Sequence, residues 1–124
     1  MGFSFEKLSD LEILKITVEG TLNLSQKKEI YSKAISGLNI YWYQRVLFDG
    51  FNAVPSQNYT SKDMLDMANY IKESELPEDT KLAFLGIDNK SDHKTFEVFL
   101  NIMIHLELKS FSNYNKAINW LAMN

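Results

Sequence analysis

The sequence predicts an α/β domain on a single five-stranded, mostly parallel sheet, with an antiparallel first strand at one edge and four helices around it. Three observations carry that reading. Short apolar runs of strand character alternate with longer stretches in which apolar residues recur at helical spacing. Two of the runs, residues 46–48 and 82–87, are apolar throughout, as strands covered on both faces are. The first two runs are separated by only a few turn-forming residues, too few for a crossover, so they form a hairpin. A chain of 124 residues supports a single core, so residues 1–124 are expected to form one domain.

Each element has its own local cause. Phe3, Phe5 and Lys7 alternate with Ser4 and Glu6 as an edge strand does, and Ser9-Asp10 turns the chain. Leu14, Ile16 and Val18 share one face of the second strand while Lys15, Thr17 and Glu19 share the other, which leaves one side half-exposed. Gly20 ends that strand. Ser25 is the expected N-cap of the first helix, whose buried stripe is Ile30, Ala34, Ile35 and Leu38, weakened at Gly37. The third strand stops at Asp49-Gly50, and residues 50–59, which hold Gly, Asn, Pro and Ser, read as a long loop.

Thr60 caps the second helix, and Asp63, three residues on, takes the place of the usual Glu in a capping box. Met64, Leu65, Ala68 and Ile71 are its expected buried face. Residues 76–79 turn the chain into the fourth strand. Beyond a polar loop at 88–92, a third helix is expected to bury Phe96, Phe99, Leu100, Met103 and Ile104. Leu106 and Leu108 alternate with Glu107 and Lys109 in the last strand. Ser112 or Asn113 then caps a closing helix with Tyr114, Ala117, Ile118 and Leu121 on one face and Trp120 as a core anchor. The continuously apolar strands belong in the centre and the alternating ones nearer the edges, so the strand order is sequential.

Composition removes several classes of function. Hydrophobic content of 45% and aromatic content of 13% exclude a disordered chain. A net charge of −3 lacks the basic footprint that phosphate neutralisation needs, so no nucleic-acid partner is expected. With no cysteine there is no disulfide, thiolate nucleophile or sulfur-bound metal. Residues 98–108, the best apolar stretch, are broken by Asn101, His105 and Glu107, so no integral membrane association is expected. The first residues lack the basic segment and apolar run of a signal peptide, and Glu6 stands where a myristoylation motif wants Ser or Thr. A soluble, cytoplasmic protein is the expectation.

Three segments carry a resemblance to a known family. KITVEGTLNLSQKKEI (residues 15–30) looks like a strand, a glycine, a turn and a helix start. RVLFDGFNAV (residues 45–54) looks like a hydrophobic strand ending in Asp and a small loop. FSNYNKAINWL (residues 111–121) looks like a closing Phe, a spacer, Ala and Trp-Leu. Together they resemble the STAS-like, or SpoIIAA-like, family of small bacterial domains, related in fold to anti-sigma-factor antagonists and more loosely to Sec14-type lipid-binding domains. The resemblance spans nearly the whole chain and is specific for fold rather than function. It implies a non-enzymatic regulatory domain that binds a protein partner or a second copy of itself. The Sec14 likeness implies, as the alternative, a carrier of a small apolar ligand or lipid in a pocket lined by Met64, Met67, Phe96, Phe99 and Met103.

The phosphorylated antagonists carry an Asp-Ser-x-Gly signature that puts a serine at a helix N-terminus, where free N–H groups and the helix dipole stabilise a phosphate. Here the matching junction holds Ser56, Thr60 and Ser61 without that signature. Thr60 and Ser61 are therefore the candidate switch positions, although Thr60 has a sufficient role as a cap and Asp63 would repel a phosphate. Asp49 and Asp88 stand at the carboxyl ends of the two central strands, where open α/β sheets place ligands, and Asp beside Gly or Asn is also ordinary turn chemistry.

No catalytic, metal or cofactor set emerges. His93 and His105 have no partner at a metal-ligand spacing, Asp63 and Asp66 suit the wet side of an amphipathic helix, and the five glycines form no phosphate loop. Residues 40–43, Ile-Tyr-Trp-Tyr, are the richest aromatic cluster: one or two of these rings are expected to close the bottom of the core, the other reading being a contact patch.

Overall fold

The computed structural model describes residues 2–21, 23–53, 60–74, 77, 79–85 and 107–123. Five strands form one sheet in the order β1-β2-β3-β4-β5: β1 (Gly2–Leu8), β2 (Ile13–Gly20), β3 (Arg45–Ala53), β4 (Lys81–Leu85) and β5 (Glu107–Phe111). β1 pairs antiparallel with β2, and every later pair is parallel. The sequential order and the antiparallel edge are as the sequence predicts. Three helices lie among the described residues: α1 (Leu24–Tyr41), α2 (Ser61–Lys72) and α3 (Tyr114–Ala122). The helix expected at residues 96–104 lies outside the described residues, as do the polar loop at 88–92, Asp88 and both histidines.

Cross-strand register sorts the side chains into two layers. Leu14, Val46, Leu82 and Leu108 form one row, and Ile16, Phe48 and Phe84 belong to the next on the same face. These residues pack under α1 and α2 with Ile30, Tyr31, Ala34, Leu38, Met67 and Ile71. Phe48 and Phe84 stack with ring centroids 4.8 Å apart, and Tyr31 leans on Phe48 at 5.1 Å. On the opposite face Ile13, Leu47, Ala83 and Leu85 meet Ala117 and Leu121 of α3. Leu82, Ala83, Phe84 and Leu85 are all buried, which explains the unbroken apolar run of β4.

The helices begin where backbone donors are satisfied. Asn23, not Ser25, caps α1: its side chain accepts from the Gln26 N–H at 2.8 Å, and Gln26 Oε1 accepts from the Asn23 N–H at 2.9 Å. Asn and Gln at this spacing form a reciprocal box that Ser25, already inside the helix, has no way to make. Asn113 caps α3 by accepting from the Lys116 N–H. Gly37 is not merely a weak point in α1, because a Cβ there would stand 3.1 Å from Leu14 Cδ2. The missing side chain lets α1 settle onto β2.

Three further expectations are corrected. Leu65 is 42% exposed rather than buried, and Met67, with Ile71 one turn on, faces the core instead. The i, i+4 pair defines the buried line, and Leu65 points away from it. Trp120 is half-buried at the rim of the second layer, against Phe111 at 5.6 Å, so Ala117 and Leu121 are the anchors of α3. β3 does not stop at Asp49-Gly50 but runs on to Ala53, because its last residues still pair with β2.

Candidate functional site

Two ends of the sheet carry the candidate residues. At the end where the parallel strands finish, Thr17 pairs with Asp49 but Glu19 pairs with Asn52, so Gly50 and Phe51 together oppose Val18. This is a β-bulge, and the extra residue changes the face of everything after it. Asp49 Oδ1 accepts from the Phe51 N–H at 3.2 Å, supplying a partner for a donor in the irregular stretch. Asp49 itself belongs to the row of Thr17, Leu85 and Phe111, on the α3 side of the sheet.

Thr60 opens α2 on the other side. Its hydroxyl oxygen accepts from the Asp63 N–H at 3.2 Å, and Asp63 Oδ2 accepts from the Thr60 N–H at 3.1 Å. The capping box is the one the sequence predicts. Ser61 is the first residue of α2. Asp49 and Thr60 thus share an end of the sheet but not a face, and Asp88 lies outside the described residues. Sequence reasoning missed Phe51, which is 53% exposed in the bulge, opposite Val18. The Asp-Gly pair before it signals a turn so strongly that a strand continuing through it is masked.

The opposite end holds residues 40–43. Tyr43 packs against the larger core, as expected of a ring closing its bottom. Ile40 is 67% exposed, Tyr41 41% and Trp42 89%. Trp42 also follows α1 in the left-handed conformation, φ 62°, a helix-ending position that glycine usually fills. Two costs meet in one residue: a bulky side chain at positive φ and a large indole left in water. Lys7 Nζ sits 4.4 Å over the Tyr41 ring beside it. Among the described residues no group of His, Asp or Glu is arranged to hold a metal ion, and no helix is long and apolar enough to cross a membrane.

No protein-family profile matches the chain, and no curated protein is significantly similar to it in sequence. Solved structures do resemble it. An uncharacterised protein of the DUF3478 family with a SpoIIAA-like fold, from Shewanella loihica PV-4, superposes with a TM-score of 0.59 at 17% identity, over 97% of this chain and 92% of that one. The anti-sigma factor antagonist SpoIIAA in its unphosphorylated form gives 0.55 at 10% identity, over 96% of each chain. The Bacillus cell fate determinant SpoIIAA in its phosphorylated form gives 0.55 at 11% identity, over 96% of this chain and 98% of that one. Sheet order, hairpin edge and near-complete mutual coverage lead to one conclusion: the chain has the STAS/SpoIIAA-like fold.

Proposed function

We propose that this protein is a non-enzymatic, cytoplasmic regulatory domain that acts by binding another protein. One observation carries the reading: the exposed run Ile40-Tyr41-Trp42, with Trp42 almost wholly in water and held at positive φ. Folding stability alone favours glycine at that position. Trp and Tyr are the residues that supply most binding energy when a partner covers them, and strain concentrated at an exposed site points to a role outside the fold. The SpoIIAA-like fold of the chain fits a domain whose work is done by its surface. Asp49, Thr60 and Ser61 remain in this proposal as the positions of a ligand or switch contact at the other end, and Asp88, outside the described residues, remains with them on the sequence alone.

The alternative, an apolar-ligand or lipid carrier, gains nothing from the described residues. Met67, one of its pocket residues, is 1% exposed and packed into the core. An open groove of about 510 Å³ between α1 and the end of α2 mixes Ser32, Ser36, Asn39 and Ser74 with Ile35, Ile40 and Tyr70, and its wide mouth encloses an apolar guest poorly.

Trp42→Gly tests the proposal because it separates fold from function. Removing the strain is expected to raise the unfolding free energy by about 0.5–1 kcal/mol in urea titrations. Capture of partners from the protein's own lysate is expected to fall at the same time. Equal capture by wild type and variant would overturn the reading.

A further inference from the structure

Beyond that surface, the geometry points to a second copy of this chain as the partner of the β1 edge, joining two five-stranded sheets into one across a two-fold axis at Phe5. β1 is seven residues long, keeps an unbroken antiparallel register with β2, and has neither proline nor bulge. Among the described residues nothing pairs with its outer side. Edge strands of this length and regularity are templates for another strand unless the protein blunts them.

The strand complements itself in one register. A two-fold axis perpendicular to the sheet sets residues of like face opposite each other, so pairing must centre on a residue rather than between two. Phe5 is the midpoint of Gly2–Leu8, and centring there pairs the whole strand. Phe5 then meets Phe5 of the other copy, Phe3 meets Lys7, and Ser4 meets Glu6. Each cation faces a ring and each carboxylate a hydroxyl. Centring on Glu6 sets two carboxylates face to face, and centring on Ser4 leaves Lys7 and Leu8 without partners inside the strand. Phe5 itself is 37% exposed, its ring centroid 5.7 Å from that of Phe3.

α1 widens the contact. Strand pairing by itself is narrow beside the 1,200–2,000 Å² or so that stable interfaces bury. Lys33 Nζ lies 5.1 Å over the Phe3 ring and Lys7 Nζ 4.4 Å over Tyr41, so α1, seated on β2 at Gly37, reaches β1 through these side chains. The same axis directs the Lys33 end of one α1 toward the Tyr41 end of the other. The cation-to-ring pattern found within one chain is repeated between two.

Light scattering on the full chain at micromolar concentrations is expected to give twice the monomer mass. Phe5→Arg, which sets two cations on the axis, is expected to weaken self-association by at least about tenfold while leaving the circular dichroism unchanged. With no native cysteine, single-cysteine variants report register cleanly. Phe5→Cys is expected to form an intermolecular disulfide under mild oxidation, since opposed residues stand about 5 Å apart. Glu6→Cys, displaced from its own copy by two positions, is expected to cross-link poorly. Tyr41 borders both surfaces, but Trp42→Gly leaves it in place and is expected to remain dimeric, so the two readings separate at Trp42. A monomer in light scattering, a dimer unaffected by Phe5→Arg, or equal cross-linking at both cysteine positions would overturn it.

Discussion

At the residue scale, two acids that the sequence singles out, Asp63 and Asp49, act on their own backbone. Asp63 serves the N-terminus of α2, and Asp49 serves the N–H of Phe51 in the bulge. Neither arrangement calls for a substrate, which is why a carboxylate at a strand end is weak evidence for one. Asp49→Ala is expected to cost no more than about 1 kcal/mol in urea unfolding, because the donor it leaves is exposed and water can replace the lost acceptor. Asp49→Asn keeps an acceptor at that place and is expected to lose less than half as much. An equal cost for Asn and Ala would mean that the charge, which both variants lack, matters there rather than the hydrogen bond.

At the element scale, α3 depends on a side chain from another element. Lys81 of β4 donates from Nζ to the carbonyls of Trp120 and Met123, at 3.1 and 2.7 Å, and sits 4.9 Å over the Trp120 ring. The Trp120 carbonyl also accepts from the Met123 N–H, so Lys81 adds a second donor there, caps the Met123 carbonyl and complements the helix dipole. Its salt bridge to Glu107 is longer, 3.9 Å, and Glu107 is 69% exposed, so solvent screens most of it. Lys81→Met is therefore expected to destabilise the protein by about 1–2 kcal/mol, and Glu107→Gln by less than about 0.5 kcal/mol. Thermal melts of the two variants at equal salt check the order; a reversal would assign the stability to the ion pair.

At the scale of the whole molecule, the sheet separates, among the described residues, two unequal cores. The larger lies under α1 and α2, and the smaller is closed, among the described residues, by the nine residues of α3. Leu121, 0% exposed, is expected to cost about 2–5 kcal/mol when cut to Ala. Trp120→Ala is expected to cost less than Leu121→Ala despite its greater volume, because its ring lies at the rim and water already reaches it. Chemical denaturation of both variants decides the point, and the larger loss at Trp120 would contradict the half-buried position described for it.

The sequence by itself determined what depends on local period and local chemistry: the hairpin, the alternation of strands and helices, the two dry central strands, the capping box at Thr60, and hence the strand order. These were legible because apolar spacing and cap residues act over a few positions. Only the tertiary structure decided the rest. The bulge at Gly50-Phe51 depends on the register of β2, Leu65 faces water because Met67 and Ile71 set the contact line of α2, and Trp120 sits at a rim whose extent α3 defines. Trp42 is the sharpest case. Nothing in its neighbours' residue types tells an indole folded beneath the sheet from one left in water. The left-handed turn that ends α1 settles it, because it hands the chain directly to Tyr43 and the start of β3 and turns the indole out into water.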